Sequence, residues 1–313
     1  MQNLISQKDK FIGTFIGLSL GDALGAPYEG GFIERFLWRF FSKTPTGKMR
    51  WTDDTQMSID LAESILEKNT VDQNHLALKF ASSYKWSRGY GPAASKVLKS
   101  IKKGVNWKVA NRQTYKEGSL GNGGAMRSPI LALIYSQNNA LLTKEITKAT
   151  QITHAHPLAI EGAVLVGKAV SLALNNIDVL EVIKIVLQHS KTEIFKKKAE
   201  VSLKWLKDKL DISPKDVSKN LGNGIKATDS CITAIYLGLR FRSKSFNELI
   251  KFTRKCGGDV DTLCSMSGSI WGAFNGFKNI PKELFDDLED GRRIKSLACN
   301  LYETKLQISE KIN

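Results

Sequence analysis

Cysteine is scarce in this chain of 313 residues: Cys231, Cys256, Cys264 and Cys299 are its only four. None forms a Cys-x-x-Cys pair, and no histidine stands at zinc-finger spacing from one. That argues against a disulfide framework and a structural zinc, and implies a reduced, intracellular, cytoplasmic setting. Strand-like alternation of apolar and polar residues is also missing, so a β-rich fold is not expected. No run approaches the roughly 18 apolar residues that a membrane-crossing helix needs, and no membrane partner is expected. The apolar run Phe11–Leu20 behind Lys8 and Lys10 imitates a leader. It is broken by Gly13 and Gly17, carries Asp9 in its basic flank and meets Asp22 before any cleavage point, which argues against one. No low-complexity linker divides the chain.

Acidic residues are in deficit. Lysine and arginine number 46 against 31 carboxylates, a formal charge of +15. Such a balance favours anionic partners: nucleic acid, a membrane surface or a polyphosphate ligand.

What is present is helical periodicity over nearly the whole length. It predicts an all-α fold, one compact domain over residues 1–313, with about a dozen helices. Helices are expected near 8–25, from Asp53, over Asp72 to Trp86, and over 93–103, 125–137, 142–153, 157–175, 177–189, 194–210, 214–221, 227–241, 246–255, 262–276 and 293–310. Residues 26–50 read as a loop with a short helix near Phe36–Phe41, and residues 105–123 as irregular. In the helix from Asp53, Met57, Leu61 and Ile65 make the apolar stripe while Asp60, Glu63 and Glu67 face away. Glycines 13, 17, 21 and 25 share one side of the first helix, and glycines 268, 272 and 276 one side of a late helix. Each glycine weakens its helix by up to ~1 kcal/mol, which is offset if the two glycine faces pack on each other.

Two acidic clusters carry the chemistry. In Thr52-Asp53-Asp54-Thr55, either Thr52 or Asp53 caps the helix, with Gln56 completing a capping box after Asp53. A cap still leaves a neighbouring carboxylate over. In Gly257-Gly258-Asp259-Val260-Asp261-Thr262, two carboxylates in one turn exceed what a cap needs. A cation would remove their repulsion. The donors are all oxygen, which selects Mg²⁺, Mn²⁺ or Ca²⁺ over zinc. Two such clusters can hold two ions, typically ~3.5–4 Å apart.

The segment Gly118–Gly124 is either a flexible turn or a phosphate-receiving loop before a helix. Without Gly-Lys-Ser/Thr or a preceding strand, it is neither a P-loop nor a dinucleotide fingerprint. Lys96, Lys99, Lys102, Lys103, Lys108, Arg112 and Lys116 precede it with no acid between them. They form either a solvated helix face or a surface that steers a polyanion. His154 and His156 do not match His-Glu-x-x-His. His154 reads as a ligand-contacting or helix-ending residue, His156 as structural or surface. The lysines of 191–219 read as an amphipathic surface helix ahead of a nucleic-acid face.

These motifs, in order, resemble the ADP-ribosylglycohydrolase family. They are Gly21-Asp22-Ala23-Leu24-Gly25 with Tyr28-Glu29, then Trp51–Thr55, then Gly121-Asn122-Gly123-Gly124-Ala125-Met126-Arg127. Thr153-His154, Leu221-Gly222-Asn223-Gly224-Ile225 and Gly258–Thr262 follow. Tyr28-Glu29, Arg88-Gly89-Tyr90-Gly91, Gly118-Ser119 and the Leu221–Ile225 segment are most similar to the branch acting on ADP-ribosylserine and poly(ADP-ribose). Val260 replaces a common threonine, and Ala155–Leu158 differs from relatives.

The resemblance implies an all-α fold and a binuclear Mg²⁺ centre, with Mn²⁺ as the substitute. Thr52, Asp53, Asp54, Asp259, Asp261 and Thr262 would be its ligands. It implies catalysis by Glu29 with Asp54 or Asp261 assisting. Gly118, Ser119, Leu120, Gly121, Asn122 and Gly123 would hold the pyrophosphate and distal ribose. Gly89, Tyr90 and Gly91 would line the cleft, Tyr90 or Ile225 would pack on the adenine, and His154 would make distal contacts. The implied partner of a monomer is an ADP-ribosylated protein or poly(ADP-ribose). The alternatives are an arginine-directed hydrolase of the same fold, or a non-enzymatic binder of ADP-ribose or nucleic acid.

Overall fold

The computed structural model describes residues 5–30 and 42–310. Sixteen α-helices follow one another among them: α1 (Gln7–Gly25), α2 (Asp53–Lys68), α3 (Gln73–Ser83), α4 (Pro92–Lys102), α5 (Trp107–Ala110), α6 (Ser128–Tyr135), α7 (Asn139–Gln151), α8 (Pro157–Leu174), α9 (Val179–His189), α10 (Glu193–Lys207), α11 (Pro214–Leu221), α12 (Ala227–Arg240), α13 (Phe246–Cys256), α14 (Val260–Asn275), α15 (Lys282–Asp287) and α16 (Gly291–Glu310). Extended pairing among the described residues is limited to isolated bridges. The short helix expected near Phe36–Phe41 lies outside the described residues. Two short helices, α5 and α15, were not legible in the pattern.

The glycine faces do meet. α1 and α14 lie against each other along their lengths. A Cβ at Gly13 would come within 2.5 Å of the Gly276 carbonyl carbon, and one at Gly25 within 2.5 Å of the Asp261 Cα. Between them, Gly17 faces the Gly268 carbonyl and Gly21 that of Cys264. Backbone packs on backbone, so the helix weakness of glycine is exchanged for close approach. Around this pair, α8 packs against α6, α7, α12 and α14, and α16 closes over α1.

α8 corrects one expectation. It is 18 residues long with a mean hydropathy of 1.6, enough by length and composition to cross a membrane. Its residues are 67% buried inside the protein. Helices α6, α7 and α12 cover it, which explains the composition as that of a core helix.

α2 brings two further corrections. Thr52 alone caps it, accepting from the Asp54 N–H at 3.4 Å. Gln56 completes no capping box; its amide donates to Asp60 Oδ1 at 3.0 Å. Asp60 does not face solvent either. It is buried, where Ser83 Oγ donates to its other oxygen. Hydrogen bonding to two polar neighbours makes an otherwise costly burial tolerable.

Candidate active site

A cleft of about 820 Å³ opens where several pieces of chain converge, four of which form its two ends. These four are the turn after α1, the N-terminus of α2, the N-terminus of α14 and the glycine loop before α6. Carboxylates occupy one end. Glu29, Asp259 and Asp261 each offer an oxygen, all within 4.8 Å of one another. Asp53 and Asp54 line the same end. The Thr262 hydroxyl reaches Asp54 Oδ1 at 3.5 Å, joining the two acidic clusters across 208 residues.

Local structure explains each placement. Gly257 and Gly258 adopt φ of +67° and +75°, which turns the chain sharply into α14. Asp259 then sits at the N-cap without capping. Its side chain turns to the glycine loop and accepts from Asn122 Nδ2. Asp261 Oδ1 accepts from the Thr262 N–H at 2.8 Å. Opposite, a buried acid that the sequence reading left out of the site anchors the start of α2. Both oxygens of Asp22 accept from the Thr52 N–H at 3.0 Å, and Oδ2 also accepts from the Thr55 N–H at 3.0 Å and its hydroxyl at 2.6 Å. Its signal in the sequence was an acid set between two glycines at the end of the glycine-faced helix, in Gly21-Asp22-Ala23-Leu24-Gly25.

Such crowding raises the carboxyl pKa values. Burial pushes Asp53, Asp54 and Asp261 well above the ordinary range, and mutual repulsion adds to it: Asp22 on Asp53 and Asp54, Glu29 and Asp259 on Asp261. Asp54 Oδ2 is buried without a hydrogen-bond partner among the described residues. A buried acceptor without a donor is costly. A hard divalent cation satisfies both conditions, and the all-oxygen donor set fits one. Thr52 is placed differently from the aspartates: buried, capping α2, and not on the cleft wall.

The other end of the cleft is the glycine loop. Gly118, Ser119, Leu120, Gly121, Asn122 and Gly123 all line it. The loop is held on two sides. On one, Asn122 N–H donates to the Ile225 carbonyl and Ala227 N–H to that of Leu120, each at 3.0 Å. This bridge brings Ile225, 68% exposed, to the cleft rim. On the other, His154 lies under Gly121 and Gly123, where a Cβ would strike its ring. The Thr153 hydroxyl is 2.8 Å from its Nδ1. Burial, with Arg127 nearby, lowers His154 to about 3, so the ring is neutral. Arg127 is fully buried and ties the assembly together. It donates to the Gly123 carbonyl at 2.7 Å, the Ala149 carbonyl at 2.8 Å and Thr153 Oγ1 at 2.9 Å. Its part was not foreseen, although it ends the Gly121–Arg127 motif.

One expected contact is corrected. Gly89 and Gly91 line the cleft, but the Tyr90 side chain does not. Its ring is buried, with its centroid 5.0 Å from that of Tyr84. Gly89 at φ +82° makes the turn that sends Tyr90 inward. The aromatic at the rim is Tyr115, 53% exposed, which had not been singled out. His156 also lines the cleft while its Nδ1 accepts from the Leu158 N–H at 3.1 Å, capping α8.

Comparison with known proteins gives a consistent result. A family model described as ADP-ribosylglycohydrolase matches residues 3–309. The protein named ADP-ribosylhydrolase ARH3 from Xenopus tropicalis is 32% identical over 337 residues, covering 93% of this chain and 96% of its own. The human protein of the same name is 31% identical, covering 94% and 93%. A solved structure titled "ADP-ribosylglycohydrolase-related protein complex" superposes with a TM-score of 0.71 over 96% of this chain and 99% of its own. At 23% identity it speaks for the fold alone.

Proposed function

Since the chain belongs to the ADP-ribosylglycohydrolase family and is thereby a hydrolase of ADP-ribosylated substrates, we propose that it cleaves the O-glycosidic bond joining ADP-ribose to serine or to another ADP-ribose unit. One observation carries the reading. Glu29, Asp53, Asp54, Asp259 and Asp261 gather at one end of a cleft whose other end is a glycine loop. A diphosphate flanked by two riboses needs such a two-ended site. The relatives named as hydrolases cover nearly the whole chain, which supports the same substrate class.

In this reading Asp53, Asp54, Asp259, Asp261 and Thr262 would hold two Mg²⁺ ions, with Mn²⁺ as substitute, while Thr52, off the cleft wall, caps the helix that carries Asp53 and Asp54. When bound, the ions supply Lewis-acid stabilisation of the ribose hydroxyls and lower the pKa of a water. The chain's own groups do the rest. The glycine loop, with its backbone N–H groups and the N-terminus of the following helical turn, receives the pyrophosphate. Ile225 and Tyr115 flank the base, and His154, held neutral, supports the loop from below. Breaking the bond develops oxocarbenium character at the anomeric carbon. The serine oxygen leaves poorly unless protonated, so an acid must stand beside it. Glu29 fills that role, next to Asp259 and Asp261, with Asp54 or Asp261 assisting.

The test is hydrolysis of matched serine-linked and arginine-linked ADP-ribosyl peptides, with and without Mg²⁺. Metal-dependent release from serine alone is expected. Release from arginine alone would move the activity to the guanidine-directed class, and release from neither would remove the reading.

A further inference from the structure

A line of lysines leads away from the carboxylate end of the cleft. Gly89 abuts that end, since a Cβ there would lie 4.0 Å from Asp53 Oδ1. Three residues later Pro92 begins α4, and Pro92 lines two cavities at once. One is the cleft. The other, of about 530 Å³, is walled by Pro92, Ser95, Lys96, Lys99, Ser100 and Lys103. Lys96, Lys99 and Lys103 recur at helical spacing on one face and are exposed. At ~1.5 Å per residue the stripe extends roughly 16 Å from Pro92.

Nothing among the described residues pairs with it. No acidic residue occurs between Lys96 and Lys116. None of the ion pairs among the described residues includes Lys96, Lys99 or Lys103. Lys99 instead lies 5.7 Å from the Tyr84 ring centre. Three like charges within three turns repel one another, and the +15 chain offers no relief here. A polyanion would supply it.

We infer that this stripe binds the pyrophosphate of a second ADP-ribose unit, joined to the one in the cleft on the leaving side of the scissile bond. The inference rests on the activity proposed above and names the extended substrate. Continuity decides among occupants. The stripe starts at Pro92 on the cleft wall, three residues beyond Gly89, which abuts Asp53. A second unit always carries two phosphates, whereas the sequence around a modified serine carries no fixed charge. An unattached nucleic acid would have no reason to begin at Pro92.

The decisive variant is Lys96→Glu/Lys99→Glu/Lys103→Glu, compared with wild type on poly(ADP-ribose) and on a mono-ADP-ribosylserine peptide. KM for the polymer should rise about tenfold or more, and the salt slope of log kcat/KM should flatten by roughly 1.4, as expected when contacts to the two phosphates of one unit are lost. The constants for the peptide should stay within about twofold, because these lysines lie outside the cleft. Equal losses on both substrates, or an unchanged KM for the polymer, would overturn the inference. Lost affinity for unmodified single-stranded RNA with polymer turnover intact would make the stripe a nucleic-acid surface instead. Should wild type cleave neither substrate, the activity reading fails separately. Fluorescence anisotropy of labelled polymer on both proteins then decides the stripe: weaker binding by the variant supports it, and equal binding removes it.

Discussion

Asp22 and Thr55 are joined by a 2.6 Å hydrogen bond across 33 residues, and the same carboxylate holds the backbone of Thr52. The bond fixes where Asp53 and Asp54 point, because both lie between its two anchors. Asp22→Asn keeps the shape but sets an amide N–H against backbone donors. It should cost on the order of 1–3 kcal/mol in stability, the range for a buried group left unsatisfied. It should also weaken Mg²⁺ affinity. Urea unfolding and titration calorimetry measure the two, and an unchanged value in both would remove Asp22 as the anchor.

The glycine interface makes a blunter prediction. Gly17→Leu puts a branched side chain against the Gly268 carbonyl. Backbone cannot yield as a side chain can, so destabilisation should reach about 3 kcal/mol or more, the upper end for overpacking. A variant with an unshifted urea midpoint would show that α1 and α14 can slide apart.

Asp53→Asn and Asp261→Asn should abolish Mg²⁺-dependent turnover while leaving the fold intact. Mg²⁺ should raise the melting temperature of wild type by mass action, and that rise should shrink in both variants. In chelator at pH 8, Asp261→Asn should be at least as stable as wild type. It removes a charge opposed by burial, Glu29 and Asp259. A variant clearly less stable than wild type in chelator would mean that the carboxylates support the fold rather than strain it.

Asp60 predicts a pH dependence. Burial lifts it to about 7, against the pull of its hydrogen bonds from Ser83 and Gln56. The folded state therefore binds a proton that the unfolded state has released between about pH 4 and 7, so this residue's contribution to stability falls as pH rises through that window. In Asp60→Asn the loss of stability over pH 4–7 should be shallower than in wild type. Parallel curves would show that Asp60 is ionised in the folded protein.

Much of the helical order was legible because hydrophobic period and glycine period agree. The pairing of α1 with α14 followed from that agreement alone. The two acidic clusters were legible from residue type, and the structure brings them together at Thr262 and Asp54. What escaped was whatever depends on direction within an element. Asp60 lies on a helix with clear periodicity, yet two polar partners from α2 and α3 draw it inside. Tyr90 sits in a motif of the site, yet Gly89 turns its ring away. Arg127 and Asp22 act through backbone carbonyls and N–H groups, whose positions no side-chain pattern reports. Tyr115 reaches the cleft from an irregular segment, where period has no meaning.

The union of α1 with α14 has a consequence for biosynthesis. α1 leaves the ribosome first, but its glycine face and Asp22 have nothing to close on until residues 259–275 have been made. Two of the five carboxylates, Asp259 and Asp261, arrive with them. Contacts of such sequence separation form late and slowly, so a nascent or truncated chain cannot gather the five carboxylates. Phe11 of α1 waits longer still, for Tyr302 of α16, whose ring centroid lies 5.2 Å from its own. Hydrolytic competence is thus withheld from incomplete chains by the order in which the polypeptide emerges.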